Sequence, residues 1–460
     1  MAFLDRNGNP VPPTVLADLA ASGFRGTILT EDDADFDSSR AIWNTYFQRR
    51  AGAVVRATGT ADIIRAVNLA RDNNIELAVK GGGHCFASTS STESGLLIDT
   101  SLMKGIRVDP QRQRVVCQPG LEQGEFDNET QQFGLAVTGS QESYIGIGGM
   151  TLGGGLGWLA RYRGLLVDNL VSADVVLASG ELRRASAADD DELFWAIRGG
   201  GGNFGVATSF EFNLHEQGPC MAGLLAYPID QTVDVARRLD EFNQTAPDAL
   251  TTSFAFLTAP NGQPAIGIGF VHAEPGPDIE ETLVKPLRTI GSGALLDFYG
   301  LMPYVEVQRM LDENTEAGWR YYPRSFLLPE LTDAPLQILA DGFANTPSQR
   351  TLVGGGLMGG VMSKISADAT PFQHREGYLT SILTAWTEPA DDEQNVAWTE
   401  KVYRELEPYT SGAVYVNHLG GDSDQRIEAA YGTNYARLRA LKAKYDPTNF
   451  FHRNNNIIPA

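Results

Sequence analysis

Apolar side chains recur along the first half of the chain with two different periods. In residues 60–71 they fall at Ile63, Ile64, Val67 and Ala70, the spacing of one helix face. Short apolar runs flank this segment, Val54-Val55-Arg56 before it and Leu77-Ala78-Val79 after it, and both predict strands. The second run leads into Gly81-Gly82-Gly83. A glycine loop at a strand's C-terminal end, within a strand–helix–strand unit, lies where open α/β sheets bind ligands. The same reading predicts strands at 95–99, 114–117, 171–177 and 206–214, helices at 122–133 and 191–198, and a short helix and turn over 36–44.

After Gly218-Pro219 the texture changes. Runs 222–229, 250–258, 265–273, 352–363 and 378–388 read as strands, and 231–245, 277–289, 334–345 and 393–407 as helices. That pattern predicts a second α+β unit, a mostly antiparallel sheet backed by helices. A charged helix is expected over 430–444, stopped by Asp446-Pro447, with an extended tail at 454–459.

Charge narrows the partners. A net charge of -21 argues against nucleic acid and anionic membrane. Only seven of the 36 basic residues are lysine. Cys85, Cys117 and Cys220 show neither metal-ligand spacing nor a disulfide framework, and a cytoplasmic location is expected. The first residues lack the basic and apolar regions of a leader. No apolar run approaches the roughly 18 residues of a membrane span.

Glycine clusters stand at 81–83, 146–155 and 199–205. Such clusters let backbone approach an anion and point several N–H groups at it. One alone is more often a set of tight turns. Three, each beside a strand or helix end, point to a large phosphate-bearing cofactor. Gly200–Gly205 matches G-x-G-x-x-G, but here a helix precedes and a strand follows, the reverse of a dinucleotide fingerprint. A Walker A loop, a G-x-S-x-G elbow and an H-E-x-x-H pair are absent from the sequence.

Further stretches accompany these clusters in a fixed order: Lys80–His84, Thr138–Trp158, Arg163-Gly164-Leu165 with Asp168-Asn169, Asp191–Phe212, Tyr415-Val416-Asn417, Tyr431-Gly432, Tyr445–Phe451 and Asn454–Pro459. Together they resemble the berberine bridge enzyme-like family, flavoproteins of the vanillyl-alcohol oxidase / p-cresol methylhydroxylase (PCMH-type) superfamily, in its bacterial single-histidine form. The resemblance implies an α+β fold. A PCMH-type FAD-binding domain in two parts, residues 1–214 and 413–460, would hold an inserted α+β substrate domain, residues 215–412. It implies FAD bonded covalently to His84. Gln141 stands where many relatives carry a second, cysteine attachment, so His84 is expected to be the only tether. Cys85 is expected to be a small buried packing residue. By the same resemblance the FAD contacts are Gly81, Gly82, Gly83, Cys85, Gly139, Ser140, Gln141, Ile145, Gly148, Gly149, Thr151, Gly153, Gly154, Gly155, Gly205, Val206, Asn454 and Asn456. Ile145 stands where a smaller valine accompanies oxidase activity. That leans toward slow reaction with oxygen and leaves oxygen or another acceptor open.

The implied chemistry is oxidation of a C–H that bears a hydroxyl or amine on a small or medium organic substrate, such as an alcohol, sugar or secondary metabolite. Hydride passes to the flavin N5, and a general base takes the hydroxyl proton. After His374-Arg375-Glu376-Gly377, Ser381 and Leu383 occupy positions where some relatives carry Glu or Gln, so no carboxylate is available there. Tyr415 is the expected base, its pKa lowered by the reduced flavin or a nearby cation. Strand alternation puts Asn417 on its face and His418, the second candidate, on the other. Leu156 replaces a tyrosine of plant relatives and implies an apolar pocket floor. Met302-Pro303-Tyr304 and Trp319–Tyr322 are candidate pocket walls. The alternative is a binding protein of the same fold with little turnover. A nicotinamide dehydrogenase is disfavoured by the flanks of the glycine fingerprint.

Overall fold

The computed structural model describes residues 3–420 and 424–460. Helix Thr60–Asp72 buries Ile63, Ala66, Val67 and Ala70 completely, while Ile64 is half-buried at the edge of that face. The strands on either side of it, Ala53–Arg56 and Leu77–Lys80, do not pair with each other. Both run parallel to Leu96–Asp99, which lies between them, and Thr27–Leu29 adds an antiparallel edge. A second sheet has five antiparallel strands in the order Ile106–Asp109, Arg114–Cys117, Val206–Asn213, Leu170–Val176, Leu182–Ser186. Val176 and Val206 of this sheet share one apolar cluster with Ile63 and Val67, which packs the helix between the two sheets.

Residues 220–386 supply a seven-stranded antiparallel sheet, in the order Leu296–Met302, Cys220–Pro228, Pro264–His272, Leu250–Thr258, Leu352–Leu357, Tyr378–Trp386, Arg320–Leu328. Helices Thr232–Asn243, Asp333–Ala344 and Asp392–Leu406 cover one face, burying Leu239, Leu339 and Leu406 against Phe254, Phe256 and Ile382. The other face is lined by a row of paired positions, Leu224, Gly269, Ser253, Gly356 and Leu379.

Two of these strands, both edges of the sheet, escape the hydrophobic pattern. Leu296–Met302 leaves Phe298 and Leu301 exposed. Arg320–Leu328 carries Pro323, which an edge strand tolerates because its outer side needs no ladder hydrogen bond. Its start is covered instead by Asn44, whose side chain bonds both the N–H and the carbonyl of Tyr321, each at 2.9 Å. The strand expected over 352–363 stops at Leu357, because Gly359 and Gly360 take φ of +96° and +63°.

The single helix expected over 430–444 is two, Asp424–Tyr431 and Tyr435–Tyr445, broken at Gly432–Asn434. The second carries a fully buried cation. Lys442 Nζ donates to Asp446 Oδ2 at 2.7 Å, to the Asn203 carbonyl at 2.7 Å and to the Phe451 carbonyl at 2.9 Å. Asp446 also accepts the N–H groups of Phe450 and Phe451, both at 2.8 Å. Asn203 in turn accepts the Ile457 N–H on its side chain at 2.9 Å. The C-terminal tail is thereby tied to the third glycine cluster. Among the described residues no helix is long and apolar enough to cross a membrane.

Removing one member of a buried pair strands the other charge, at a cost of about 3–5 kcal/mol. Asp446→Ala is therefore expected to lower unfolding stability by about that much in urea titrations. Lys444→Ala, which breaks exposed contacts to Glu192 and the Tyr445 ring, is expected to change it by less than about 0.5 kcal/mol.

Candidate active site

Two glycine stretches meet backbone to backbone. A Cβ on Gly82 would lie 2.7 Å from the Gly146 nitrogen, and one on Gly146 would lie 2.4 Å from the Gly82 nitrogen. The segment after Gly146 is not a loop. Ile147–Gly153 is helical, and Gly154 and Gly155 end it with φ of +134° and +73°. Glycine's poor helix propensity is offset here by packing: Ile147 and Met150 are buried, and Gly148 abuts Pro119 so closely that a Cβ would lie 3.0 Å from its carbonyl oxygen.

Between these stretches and the open face of the seven-stranded sheet lies a cavity of about 1130 Å³. Gly81, Gly82, Gly83, His84 and Cys85 line it, as do Gly139, Ser140, Gln141, Ile145, Gly148 and Gly149. Gly205, Val206 and Asn454 form a third part of the wall. Five expected contacts are not on it. Thr151 is buried within its helix, its Oγ1 donating to the Ile147 carbonyl at 2.7 Å. Gly153 is pressed on Asn417, whose Oδ1 would lie 1.9 Å from a Cβ there. Gly154 and Gly155 form the turn behind Tyr415. Asn456 is displaced because the tail bends over 453–455 instead of running straight, which turns Asn455 to the wall beside Asn454.

His84 stacks on Trp43 with ring centroids 4.1 Å apart, and Trp43 stacks on Tyr321 at 3.7 Å. Trp43 lines the cavity and was given no role by sequence; its place after a short helix carries no chemical signal. The open part of His84 faces the cavity, so burial still dominates and pushes its pKa down to about 3. Its Nε2 is buried without a protein partner, and so is Asn454 Oδ1. Buried polar atoms are rarely left unpaired, and a cofactor rich in polar atoms would satisfy both. Cys85 is not the buried packing residue expected. It is half-buried on the wall, with its Sγ held by the Ala87 carbonyl and Ser90 Oγ.

Residues 415–418 are not a strand. Val416–His418 forms a 3-10 turn, in which side chains at i and i+3 eclipse, so Tyr415, Asn417 and His418 all reach the same cavity. The Tyr415 hydroxyl oxygen accepts the Gly155 N–H and Asn417 Nδ2, both at 2.9 Å. Burial pushes its pKa up to about 12, and what pulls the other way is these N–H donors, not a cation. The lowered pKa expected of it is thus corrected: the phenol is protonated at neutral pH. His418 lies with its ring centroid 5.0 Å from that of Tyr415, and its Nδ1 is 3.2 Å from Ser381 Oγ. Burial pushes its pKa down to about 4, so it is neutral at pH 7. Ser381, Leu383 and Leu156 line the cavity, whereas Tyr304 and Tyr321 are core residues and Met302, Pro303, Trp319, Arg320 and Tyr322 lie off the wall.

Known proteins share this arrangement. The FAD binding domain model matches residues 51–186, and the berberine and berberine-like model matches residues 414–458. An FAD-linked oxidoreductase of Dictyostelium discoideum is 32% identical over 420 residues, 91% of each chain. (R)-6-hydroxynicotine oxidase of Paenarthrobacter nicotinovorans is 28% identical over 455 residues, 95% of this chain and 97% of that one. The crystal structure of 6-hydroxy-D-nicotine oxidase from Arthrobacter nicotinovorans matches with a TM-score of 0.88 and 26% identity, over 95% of this chain and 99% of that one. Fold and cavity together define an FAD-linked oxidoreductase with a PCMH-type FAD-binding fold. Within that class, the chain belongs to the berberine bridge enzyme-like family.

The contact between Gly82 and Gly146 leaves no room for a methyl group. Gly146→Ala is expected to yield folded protein with little bound FAD, measured as flavin absorbance per chain. Gly59→Ala, which meets nothing within 4 Å, is expected to keep it.

Proposed function

We propose that FAD occupies the glycine-walled part of the cavity, joined covalently to His84 and to no second residue. The substrate, a small or medium organic molecule, would lie against the open face of the seven-stranded sheet, within a substrate domain at 215–412. There it is oxidised at a carbon bearing a hydroxyl or an amine. The observation that carries this reading is His84: a neutral imidazole whose Nε2 has no protein partner, on the wall of the same cavity that Tyr415 and His418 face.

When bound, the flavin supplies the two-electron acceptor for a hydride from the substrate carbon. The protein's own part is positional and protonic. Stacking on Trp43 holds the His84 ring in one orientation, and its low pKa keeps a lone pair free for bond formation. Gln141 offers no thiol. Two donors occupy the Tyr415 oxygen, so its O–H is left to donate to the substrate oxygen or nitrogen. In the tautomer this reading requires, His418 Nδ1–H donates to Ser381 Oγ, which leaves Nε2 to accept the hydroxyl proton. An alcohol carbon would lose its hydride to the cofactor and its O–H proton to His418, giving a carbonyl. The electrons then leave to oxygen or another acceptor.

Acid-precipitated wild-type protein is expected to stay yellow on washing, and His84→Ala to lose its colour; a wild-type pellet that washes white removes the covalent link. His418→Ala is expected to slow flavin reduction by roughly 10²–10⁴-fold in anaerobic stopped flow, the usual span for a general base. Tyr415→Phe should slow it less. In wild type a base with a pKa near 4 is unprotonated above it, so the reduction rate should be flat around neutrality and fall only as pH drops through about 4. A rate that instead rises toward pH 10 would point to the phenol.

A further inference from the structure

The loop before the second glycine stretch brings a charge to the cavity wall. Glu142 is half-buried there. Its carboxyl has no hydrogen bond or ion pair with any other described residue; its own backbone N–H is its one favourable contact. The backbone that carries it is held from several sides. Ser140 Oγ donates to the Glu142 carbonyl at 2.7 Å, Gln308 Nε2 to the Ser140 carbonyl at 2.9 Å, and Trp158 Nε1 to the Gln141 carbonyl at 3.3 Å. Asp312 accepts both the N–H of Ser143 at 2.8 Å and its Oγ at 2.6 Å. The carboxyl is therefore presented by a fixed backbone, with Asp312 as its like-charged neighbour.

The arginines of the wall are engaged elsewhere. Arg161 donates to the Leu250 carbonyl at 2.6 Å and the Met358 carbonyl at 2.5 Å, and Arg453 is bonded to the Ser88 and Ser91 carbonyls. Arg309 stands exposed at the edge, and neither it nor Arg350 acts on the Glu142 carboxyl. An unpaired carboxylate in a confined site beside a second carboxylate is unfavourable in the free protein, and a cation entering the cavity relieves it.

We propose that Glu142 is a specificity-determining residue that pairs with a cationic nitrogen on the substrate, so that amine-bearing molecules are selected over neutral alcohols and sugars. This rests on the reading of the cavity as the substrate site. Burial and then Asp312 push the Glu142 carboxyl up to about 7. The other titratable group facing it is Tyr144, whose hydroxyl is tied to Thr315 and whose pKa burial raises, so it stays neutral. A permanent cation should thus bind better as pH rises and Glu142 loses its proton.

The test uses FAD-loaded protein and two probes of matched shape, benzyltrimethylammonium and its neutral isostere neopentylbenzene. Binding is followed by flavin absorbance and, independently, by tryptophan fluorescence. Wild type is expected to bind the cation about 10-fold more tightly at pH 8 than at pH 6, as ionisation of a carboxyl with a pKa near 7 requires. Glu142→Gln should lose that pH dependence and bind the cation at least 10-fold more weakly at pH 8, with the isostere unchanged. Glu142→Asp, which keeps the charge, should retain the pH dependence. Equal affinity of wild type and Glu142→Gln for the cation, or failure of wild type to bind it, overturns the proposal. FAD content and covalent retention, measured first on each protein, report separately on the cofactor reading, and the fluorescence titration decides the Glu142 question even where that reading fails.

Discussion

The cavity depends first on the backbone contact between Gly82 and Gly146. Each residue stands where a methyl group on the other would have to be. One belongs to the loop after a parallel strand and the other to the start of a helix, so the contact locks two separately built parts of the FAD-binding fold at a single distance. His84 comes directly after the first side, and the loop carrying Ser140, Gln141 and Glu142 precedes the second. Two of the three parts of the cavity wall are placed relative to this point.

Burial then sets the protonation state of the site. His84 and His418 are both neutral because the cavity is a poor solvent for an imidazolium, and Tyr415 is protonated because it is a poor solvent for a phenolate. Burial, and then Asp312 beside it, raises the pKa of the Glu142 carboxyl to about 7. A resting site with little fixed charge suits a cofactor and substrate that bring their own polar atoms. In the reaction proposed above, these states separate two roles: a tyrosine that gives a hydrogen bond and a histidine that receives a proton.

Two buried ion pairs lie elsewhere in the molecule. Lys442 with Asp446 holds the C-terminal tail on the third glycine cluster. Arg375 with Asp168, at 2.7 and 3.0 Å, ties the segment after the central strands to the turn at 165–168. Arg375 and Asp168 are far apart in sequence; Lys442 and Asp446 are four residues apart, but Lys442 also reaches the distant Asn203 carbonyl, and through the tail this brings Asn454 and Asn455 to the cavity.

Much of the fold was legible in one dimension. The period of Ile63, Val67 and Ala70 and the apolar runs at 53–56, 77–80 and 96–99 depend on local burial alone, and they marked the strand–helix–strand unit. The glycine clusters and His84 were equally visible, because a close backbone approach admits only glycine. Leu296–Met302 and Arg320–Leu328 were not visible: the first has no buried side chain to impose a pattern, and the second is buried but interrupted by Arg320, Pro323 and Arg324. The turn at 415–418 read as a strand only through the resemblance to the family's motif; its three-dimensional course brings His418 round beside Tyr415. Tyr415's protonation, Trp43's stack on His84 and Glu142's lack of a partner are likewise decided by segments that meet only on folding. Residue types and their spacing determined what this chain could hold; the neighbours that tertiary packing brings within a few ångströms decided which groups are neutral, which are paired and which are left open to a ligand.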